Sequence, residues 1–128
     1  VRSLIEPEGV SLRVVVGERD ISPDARVLND DSRTMVIRTR DPHEVIRALS
    51  DRTAVLLEGG PTLAGAFLRA GVVDRILAYV APILLGGPIA AVDDVGVASI
   101  VAAQRWRYDG VLRLGPDIRM SLVPASPT

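Results

Sequence analysis

The sequence predicts an α/β domain whose sheet is mostly parallel, flanked by helices, and finished by an antiparallel β-hairpin. Short, mostly apolar runs alternate with amphipathic segments in the first part of the chain, and such runs are typical of strands covered on both faces. Two alternating segments around a Gly-Pro turn close the chain. With 128 residues, 48% of them apolar, the chain is long enough for one domain with its own core.

The strands are predicted from apolar or alternating runs that end at glycine, proline or polar residues. They are 12–16, 34–38, 53–57 and 75–81, followed by the hairpin arms 103–114 and 118–123 around Gly115-Pro116-Asp117. Residues 83–98 contain three glycines and a proline and are predicted to form a long irregular connection.

Two helices are predicted between these strands. The first begins at Asp41, which can cap it, with Pro42 at the first helical position and Glu44 in the reach-back position of a capping box. The second covers 63–70, and Gly71 is placed to close it.

The residue types that are rare or missing exclude several chemistries. The chain has no cysteine, so it offers no disulfide, thiolate nucleophile or zinc ribbon, and a cytoplasmic setting fits. All 15 basic residues are arginine, which excludes a Schiff-base or P-loop lysine in this segment. His43 is the only histidine, and we predict it to be exposed and no metal to be bound. A net charge of -1 provides no excess positive charge to attract nucleic acid or an anionic membrane.

One junction has the residues of a ligand-binding site. It is Glu58-Gly59-Gly60-Pro61-Thr62, between a strand predicted to be buried and a helix. The first amides of a helix lack internal partners and favour an anion, and glycines let a phosphate approach the backbone. The glycine spacing is neither that of a dinucleotide fingerprint nor that of a P-loop. A plain strand–turn–helix junction is the alternative.

Glu58 ends an otherwise apolar strand, at the sheet edge where open α/β folds bind ligands. We expect it to accept hydrogen bonds from a polar ligand while the amides beyond it hold phosphates. A solvated strand end or an ion pair is the alternative for Glu58. For the loop pair Asp93-Asp94, solvated acids are predicted, with cation binding as the alternative. Trp106 and Tyr108 are predicted to pack within a strand or at a dimer surface.

A family resemblance rests on three segments. They are Val-Leu-Leu-Glu-Gly-Gly-Pro-Thr-Leu-Ala-Gly-Ala-Phe-Leu at 55–68, Val-Asp-Arg-Ile at 73–76 and Tyr-Val-Ala-Pro-Ile-Leu-Leu-Gly-Gly at 79–87. Together they closely resemble the reductase domain of the bifunctional riboflavin-biosynthesis deaminase–reductase. The resemblance extends more weakly from Leu12 to the final hairpin, and it implies a dihydrofolate-reductase-like fold.

The resemblance implies NADPH-dependent reduction of the ribose of 5-amino-6-(5-phosphoribosylamino)uracil to a ribityl chain. It places the substrate at Glu58 and leaves the catalytic residues unknown. It places NADP contacts along two stretches. The first stretch, which holds the phosphates, consists of Gly60, Pro61, Thr62, Leu63, Ala64, Gly65 and Ala66. The second consists of Gly17 and Glu18. Selection of NADPH requires a cation at the 2′-phosphate, and Arg19 is favoured for it over Arg38 and Arg40.

The resemblance also implies a homodimer and a parent chain in which the reductase is fused to a zinc deaminase. The deaminase signatures, His-x-Glu and Pro-Cys-x-x-Cys, are absent here. Residues 1–128 are therefore expected to form a single reductase domain that is incomplete at its N-terminus. Two other functions stay open: a non-catalytic module that binds nucleotides or sugar phosphates, and a related NADPH reductase of another heterocyclic substrate.

Overall fold

The computed structural model describes residues 2–3 and 12–125. In chain order the elements are β1 (Arg2–Ser3), β2 (Arg13–Val16), α1 (Arg26–Asn29), β3 (Thr34–Ile37), α2 (Pro42–Ala48), β4 (Val55–Leu56), α3 (Pro61–Arg69), β5 (Ile76–Val80), β6 (Trp106–Leu114) and β7 (Asp117–Pro124). All six strands predicted after residue 11 are present, most of them shorter than predicted. The helix α1 lies between the predicted strands 12–16 and 34–38, where no helix was predicted, and 83–98 is irregular as predicted. Across the described ranges no helix has the length and apolar content needed to cross a membrane.

The first sheet has the strand order β3-β2-β1-β4. The strands β2 and β3 are parallel, from Arg13 opposite Thr34 to Val16 opposite Ile37. The short β1 is antiparallel to both β2 and β4. The strands β2, β3 and β4 therefore run in one direction, as the mostly parallel prediction requires, and their carboxyl ends share one edge of the sheet.

The hairpin forms a second sheet, with the order β5-β7-β6 and antiparallel pairing throughout. The sequence predicts that the hairpin ends the first sheet, and the structure differs here. The reason is that β5 places five consecutive residues opposite β7, from Ile76 opposite Leu122 to Val80 opposite Ile118. Among the described residues no strand pairing joins the two sheets.

The core lies where the two longer helices cover the first sheet. Its buried members are Leu12, Val14, Val45, Leu49 and Phe67. Val45 and Leu49 are four residues apart and therefore share one face of α2. Burial of this face anchors α2, and Phe67 anchors α3 in the same way.

The start of α2 agrees with the prediction in its cap and differs in the reach-back bond. The Asp41 carboxylate accepts a hydrogen bond from the His43 amide at 2.9 Å, and Pro42 opens the helix. Glu44 accepts instead from the hydroxyl of Thr39, and Thr39 in turn accepts from the Asp41 amide at 3.1 Å. The Thr39 hydroxyl thus bridges the Asp41 amide and the Glu44 carboxylate, which a capping box would join directly.

The helix α3 begins at Pro61, two residues earlier than predicted, with Gly60 as its N-cap residue. Its end is the predicted one: Gly71 has φ +68°, where glycine meets no steric penalty. The amides of Gly71 and Val72 donate to the carbonyls of Leu68 and Phe67 at 3.1 and 3.4 Å, which is a Schellman motif.

Candidate active site

Glu58 lies just beyond β4, at the carboxyl edge of the first sheet. Its side chain is exposed, and within the described residues it has no hydrogen-bond or ion-pair partner. Gly59 follows, and a Cβ built there would lie 2.7 Å from the Leu63 side chain. The tight turn therefore packs the backbone of Gly59 against Leu63 in the first turn of α3. Among the described residues, no side chain occupies the Glu58 carboxylate, so it is available to a ligand.

Glu58 borders an open cavity of about 390 Å³ between the end of β4 and the strand β2. Its lining residues are Arg13, Val14, Val15, Val16, Val27, Glu58, Gly59 and Leu63. Valine side chains make much of the wall apolar. The carboxylate predicted from the sequence thus meets a cavity that a ligand with both apolar and polar parts can enter.

Arg13 is a wall residue that the sequence analysis did not assign. Its guanidinium donates to the Val27 carbonyl at 3.3 Å and to the Asp30 carboxylate at 2.6 Å. The hydrogen bond from Arg13 lowers the pKa of Asp30 below its ordinary value. A single charged residue in the apolar run 12–16 was the available signal, and its partner lies 17 residues further along the chain.

The N-terminus of α3 is open on the side of Gly60. Gly60 has φ -68° and ψ 176°, which any residue can adopt, and a Cβ built there would meet nothing within 4 Å. A side chain at position 60 would therefore fit the fold and would occupy space that is otherwise available to a ligand. Room beside the first amides of a helix is what a bound phosphate requires.

The residues 93–96, here called the strap, lie along one side of α3. The Thr62 hydroxyl donates to the Asp93 carboxylate at 2.6 Å, and the Asp93 amide donates to the Pro61 carbonyl at 3.1 Å. A Cβ on Gly65 would lie 3.1 Å from the carbonyl oxygens of Asp93 and Asp94, so this glycine lets the strap approach the helix.

Further along α3, Arg69 pairs with the Asp94 carboxylate at 3.1 Å. The acids 93 and 94, predicted to be solvated, thus both hold the strap to the helix. The predicted cofactor stretch Gly60 to Ala66 therefore divides into an open part around Gly60 and a part occupied by the strap at Thr62 and Gly65.

The second predicted cofactor segment follows β2. Gly17 has φ +148°, a conformation that L side chains rarely adopt, and its amide donates to the Ile37 carbonyl at 3.2 Å. The Glu18 carboxylate pairs with Arg40 at 2.9 Å. Pairing offsets the negative charge that would otherwise repel a phosphate at this loop.

Arg38 is also engaged: it donates to the Arg19 carbonyl and lies 3.6 Å from the Asp20 carboxylate. The Arg19 guanidinium is exposed and has no partner among the residues described. Of the three arginines weighed for the 2′-phosphate, Arg19 is thus the one whose charge is not already paired. This loop begins directly after Val16, which lines the same cavity as Glu58.

Comparison with known proteins agrees with this architecture. Residues 5–120 match the family model of the RibD C-terminal domain. The chain is 73% identical over 112 residues to the riboflavin biosynthesis protein RibD of Mycobacterium tuberculosis strain H37Rv, covering 88% of the chain and 33% of that protein. It is 30% identical over 78 residues, 59% of the chain and 37% of the relative, to the 5-amino-6-(5-phosphoribosylamino)uracil reductase of Buchnera aphidicola.

The solved structure of Acinetobacter baumannii RibD, form 1, superposes with a TM-score of 0.77 at 28% identity, over 89% of this chain and 37% of that one. Fold and site together define an α/β domain of the dihydrofolate-reductase-like class, with a cavity that Glu58 borders at the carboxyl end of β4. More particularly, the chain belongs to the RibD C-terminal domain family. It spans about a third of the length of the Mycobacterium tuberculosis relative.

Proposed function

We propose that the chain contributes to the NADPH-dependent reduction of 5-amino-6-(5-phosphoribosylamino)uracil, in which the ribose becomes a ribityl chain. The main support is the position of Glu58: a carboxylate without a partner among the described residues, on a 390 Å³ cavity and directly followed by the open N-terminus of α3. A polar substrate and a phosphate-bearing cofactor would then lie side by side. The reductase of Buchnera aphidicola, a relative by sequence, carries this activity in its name.

The residues fit a pyridine nucleotide in two places. The space beside Gly60 accepts a phosphate against the first amides of α3. Arg19, exposed and unpaired within the described ranges, would hold the adenosine 2′-phosphate, while Arg40 offsets the charge of Glu18. The remaining residues of the proposed contact set are Gly17, directly after β2, and six residues in the first turns of α3: Pro61, Thr62, Leu63, Ala64, Gly65 and Ala66.

When bound, NADPH supplies the hydride. The Glu58 carboxylate would accept hydrogen bonds from the substrate and so orient it at the edge of the sheet. Val16 and Leu63, apolar lining residues that are partly exposed, would exclude water from one side of the cavity. No nucleophilic side chain is required, which suits a chain without cysteine or lysine.

We also propose that the reductase is a homodimer and that its parent chain carries a zinc deaminase domain. The dimer proposal is supported by the edge strand β6, where Tyr108 and Val111 are 64% and 62% exposed. An apolar edge strand invites pairing with a second copy. The deaminase proposal is supported by the length of RibD from Mycobacterium tuberculosis, of which the chain covers 33%.

The test of the function is NADPH oxidation by the intact reductase with the aminouracil substrate, combined with calorimetry of NADPH binding to wild type and Gly60→Val. The valine should weaken NADPH binding by several kcal/mol and leave the fold intact, because position 60 has ordinary φ and free space. Gly110→Val is the matched control, since a Cβ there also meets nothing within 4 Å and lies in β6.

Three results would overturn parts of the proposal. Unchanged NADPH affinity in Gly60→Val would show that the phosphates do not bind at this helix terminus. NADPH binding without oxidation in the intact reductase would indicate a binding module. Oxidation with a different heterocycle, and none with the aminouracil, would indicate a related reductase.

A further inference from the structure

Thr62 was expected to offer its hydroxyl to a phosphate, and the structure shows that hydroxyl donating to Asp93 at 2.6 Å. A hydroxyl has one hydrogen to donate, so Thr62 has none left for a ligand in this arrangement. The Asp93 carboxylate also brings a negative charge to the end of α3 that attracts anions. A carboxylate of the chain itself thus uses the donor that the proposed cofactor phosphate would need.

We propose that Asp93 is an intramolecular competitor of the cofactor: its carboxylate must release the Thr62 hydroxyl before a phosphate of NADPH binds at the start of α3. This inference rests on the proposed function, since it assumes that the phosphates bind there. It adds a residue that sets cofactor affinity and that lies outside the segments expected to contact NADP.

The exchange requires movement of one side chain and not of the whole strap. The Asp93 amide, which donates to the Pro61 carbonyl at 3.1 Å, belongs to the backbone and keeps its bond when the side chain rotates. The Asp94 carboxylate remains on Arg69 at 3.1 Å and accepts from the Gly96 amide at 2.7 Å. Asp93 is exposed, so water can solvate its carboxylate after release.

Electrostatics gives the direction of the effect. Two anions close together at one helix terminus repel each other, and the first amides can satisfy only one of them fully. Removing the Asp93 carboxylate therefore removes a competitor and frees the Thr62 hydroxyl. The Asp94 carboxylate is already paired with Arg69, so its removal frees no donor at the start of the helix.

The experiment is calorimetry of NADPH binding to the intact reductase as wild type, Asp93→Ala and Asp94→Ala. We expect Asp93→Ala to tighten binding by roughly five- to ten-fold, the combined scale of one relieved charge repulsion and one hydroxyl freed to donate to a phosphate. The matched control Asp94→Ala should change the affinity by less than about two-fold. Thermal unfolding of each variant checks that the strap and α3 remain folded.

A double mutant tests the route through Thr62. In a Thr62→Val background there is no hydroxyl to release, so the gain from Asp93→Ala should shrink to about two-fold, the part due to charge repulsion alone. A gain that is equally large in both backgrounds would show that Asp93 does not act through Thr62 and would overturn the inference.

Weaker or unchanged NADPH binding in Asp93→Ala would also overturn it, and weaker binding would make Asp93 a positioning residue for the Thr62 hydroxyl. Failure of the proposed function gives a different pattern. In that case Gly60→Val leaves NADPH affinity unchanged, whereas failure of the inference alone leaves the Gly60→Val effect in place.

Discussion

Glu58 and Arg19 are charged side chains without a partner among the described residues, and they follow β4 and β2, two strands that run in the same direction. Other charged groups of the region are engaged: Arg13 with Asp30, Arg40 with Glu18, and Thr62 with Asp93. A charge that the fold leaves unpaired at a ligand edge is available for binding at no cost in broken contacts. The proposed roles of these two residues follow from that availability.

Glu58→Gln tests the substrate contact. The amide keeps the shape of the side chain and loses the charge, so hydrogen bonds from the substrate weaken. We expect kcat/KM of the intact reductase to fall by about ten-fold or more, at ~1.4 kcal/mol per decade, with NADPH affinity nearly unchanged. Glu44→Gln, an exposed glutamate held by Thr39 at the start of α2, is the matched control. Wild-type kinetics in Glu58→Gln would contradict the assignment.

Arg19→Ala tests the source of NADPH selectivity. If Arg19 binds the 2′-phosphate, its loss should cost ~1.5–3 kcal/mol of NADPH binding, the range for hydrogen bonds to charged groups. The use of NADH, which lacks that phosphate, should stay nearly the same. Arg33→Ala serves as a charge-matched control at an exposed loop position. Equal losses of NADPH and NADH affinity would show that Arg19 only supports the fold. Arg38 and Arg40 would then be the candidates for binding the 2′-phosphate.

At the scale of elements, the second sheet is held together by a network at a β-bulge. The pairing of β6 with β7 shifts between Tyr108 and Gly110, which leaves Asp109 as the extra residue. Arg75, the residue just before β5, donates both to Asp109 and to the hydroxyl of Ser121, a buried residue of β7. One guanidinium thus links all three strands.

This network makes a prediction about pH. The hydrogen bond from Arg75 lowers the pKa of Asp109 below its ordinary value of 3.8. A carboxyl group whose pKa is lowered by folding stabilises the fold at pH values above its ordinary pKa. This stabilisation is lost as the pH falls through the lowered pKa. Asp109→Asn should therefore lower Tm at pH 7, and its difference from wild type should shrink as the pH falls below 3.8.

Thermal unfolding between neutral and acid pH measures this difference. Asp24→Asn, at an exposed carboxylate without an ion pair in the described chain, should leave Tm unchanged throughout. A Tm difference for Asp109→Asn that persists undiminished in acid would assign the effect to packing at the bulge and not to the charge.

At the scale of the whole molecule, the second sheet exposes apolar side chains on both faces. Tyr79 and Leu112 lie on one face with Arg119 between them, and Val111 lies on the other. Large exposed apolar areas mark interaction surfaces in soluble proteins. The outer strand β6 is where a second copy is proposed to pair.

Val111→Asp tests the dimer. A carboxylate on the edge strand opposes pairing with a second copy, so sedimentation velocity of the intact reductase should show a shift from dimer to monomer. Val111→Thr keeps the branched shape without the charge and should remain largely dimeric. A wild-type protein that is monomeric at high micromolar concentration would contradict the proposal.

Features that depend on neighbours in sequence could be predicted from the sequence alone. The apolar runs located the strands after residue 11, Asp41 and Pro42 located the start of α2, and Gly71 located the end of α3. The Glu58 junction was likewise visible, because strand, glycine turn and helix start are consecutive. These signals span a few residues, so backbone sterics and local hydrogen bonds are sufficient to produce them.

Only the tertiary structure decided which distant groups meet. The hairpin pairs with β5 and not with the first sheet, and Asp93 accepts from the Thr62 hydroxyl across 31 positions of the chain. Arg40 pairs with Glu18, which leaves Arg19 without a partner in the described part of the chain. Each of these outcomes is a choice among several chemically equivalent partners. Sequence composition leaves such choices open, because the contact is made only after the packing of β2, α2 and α3 has set which loops lie side by side.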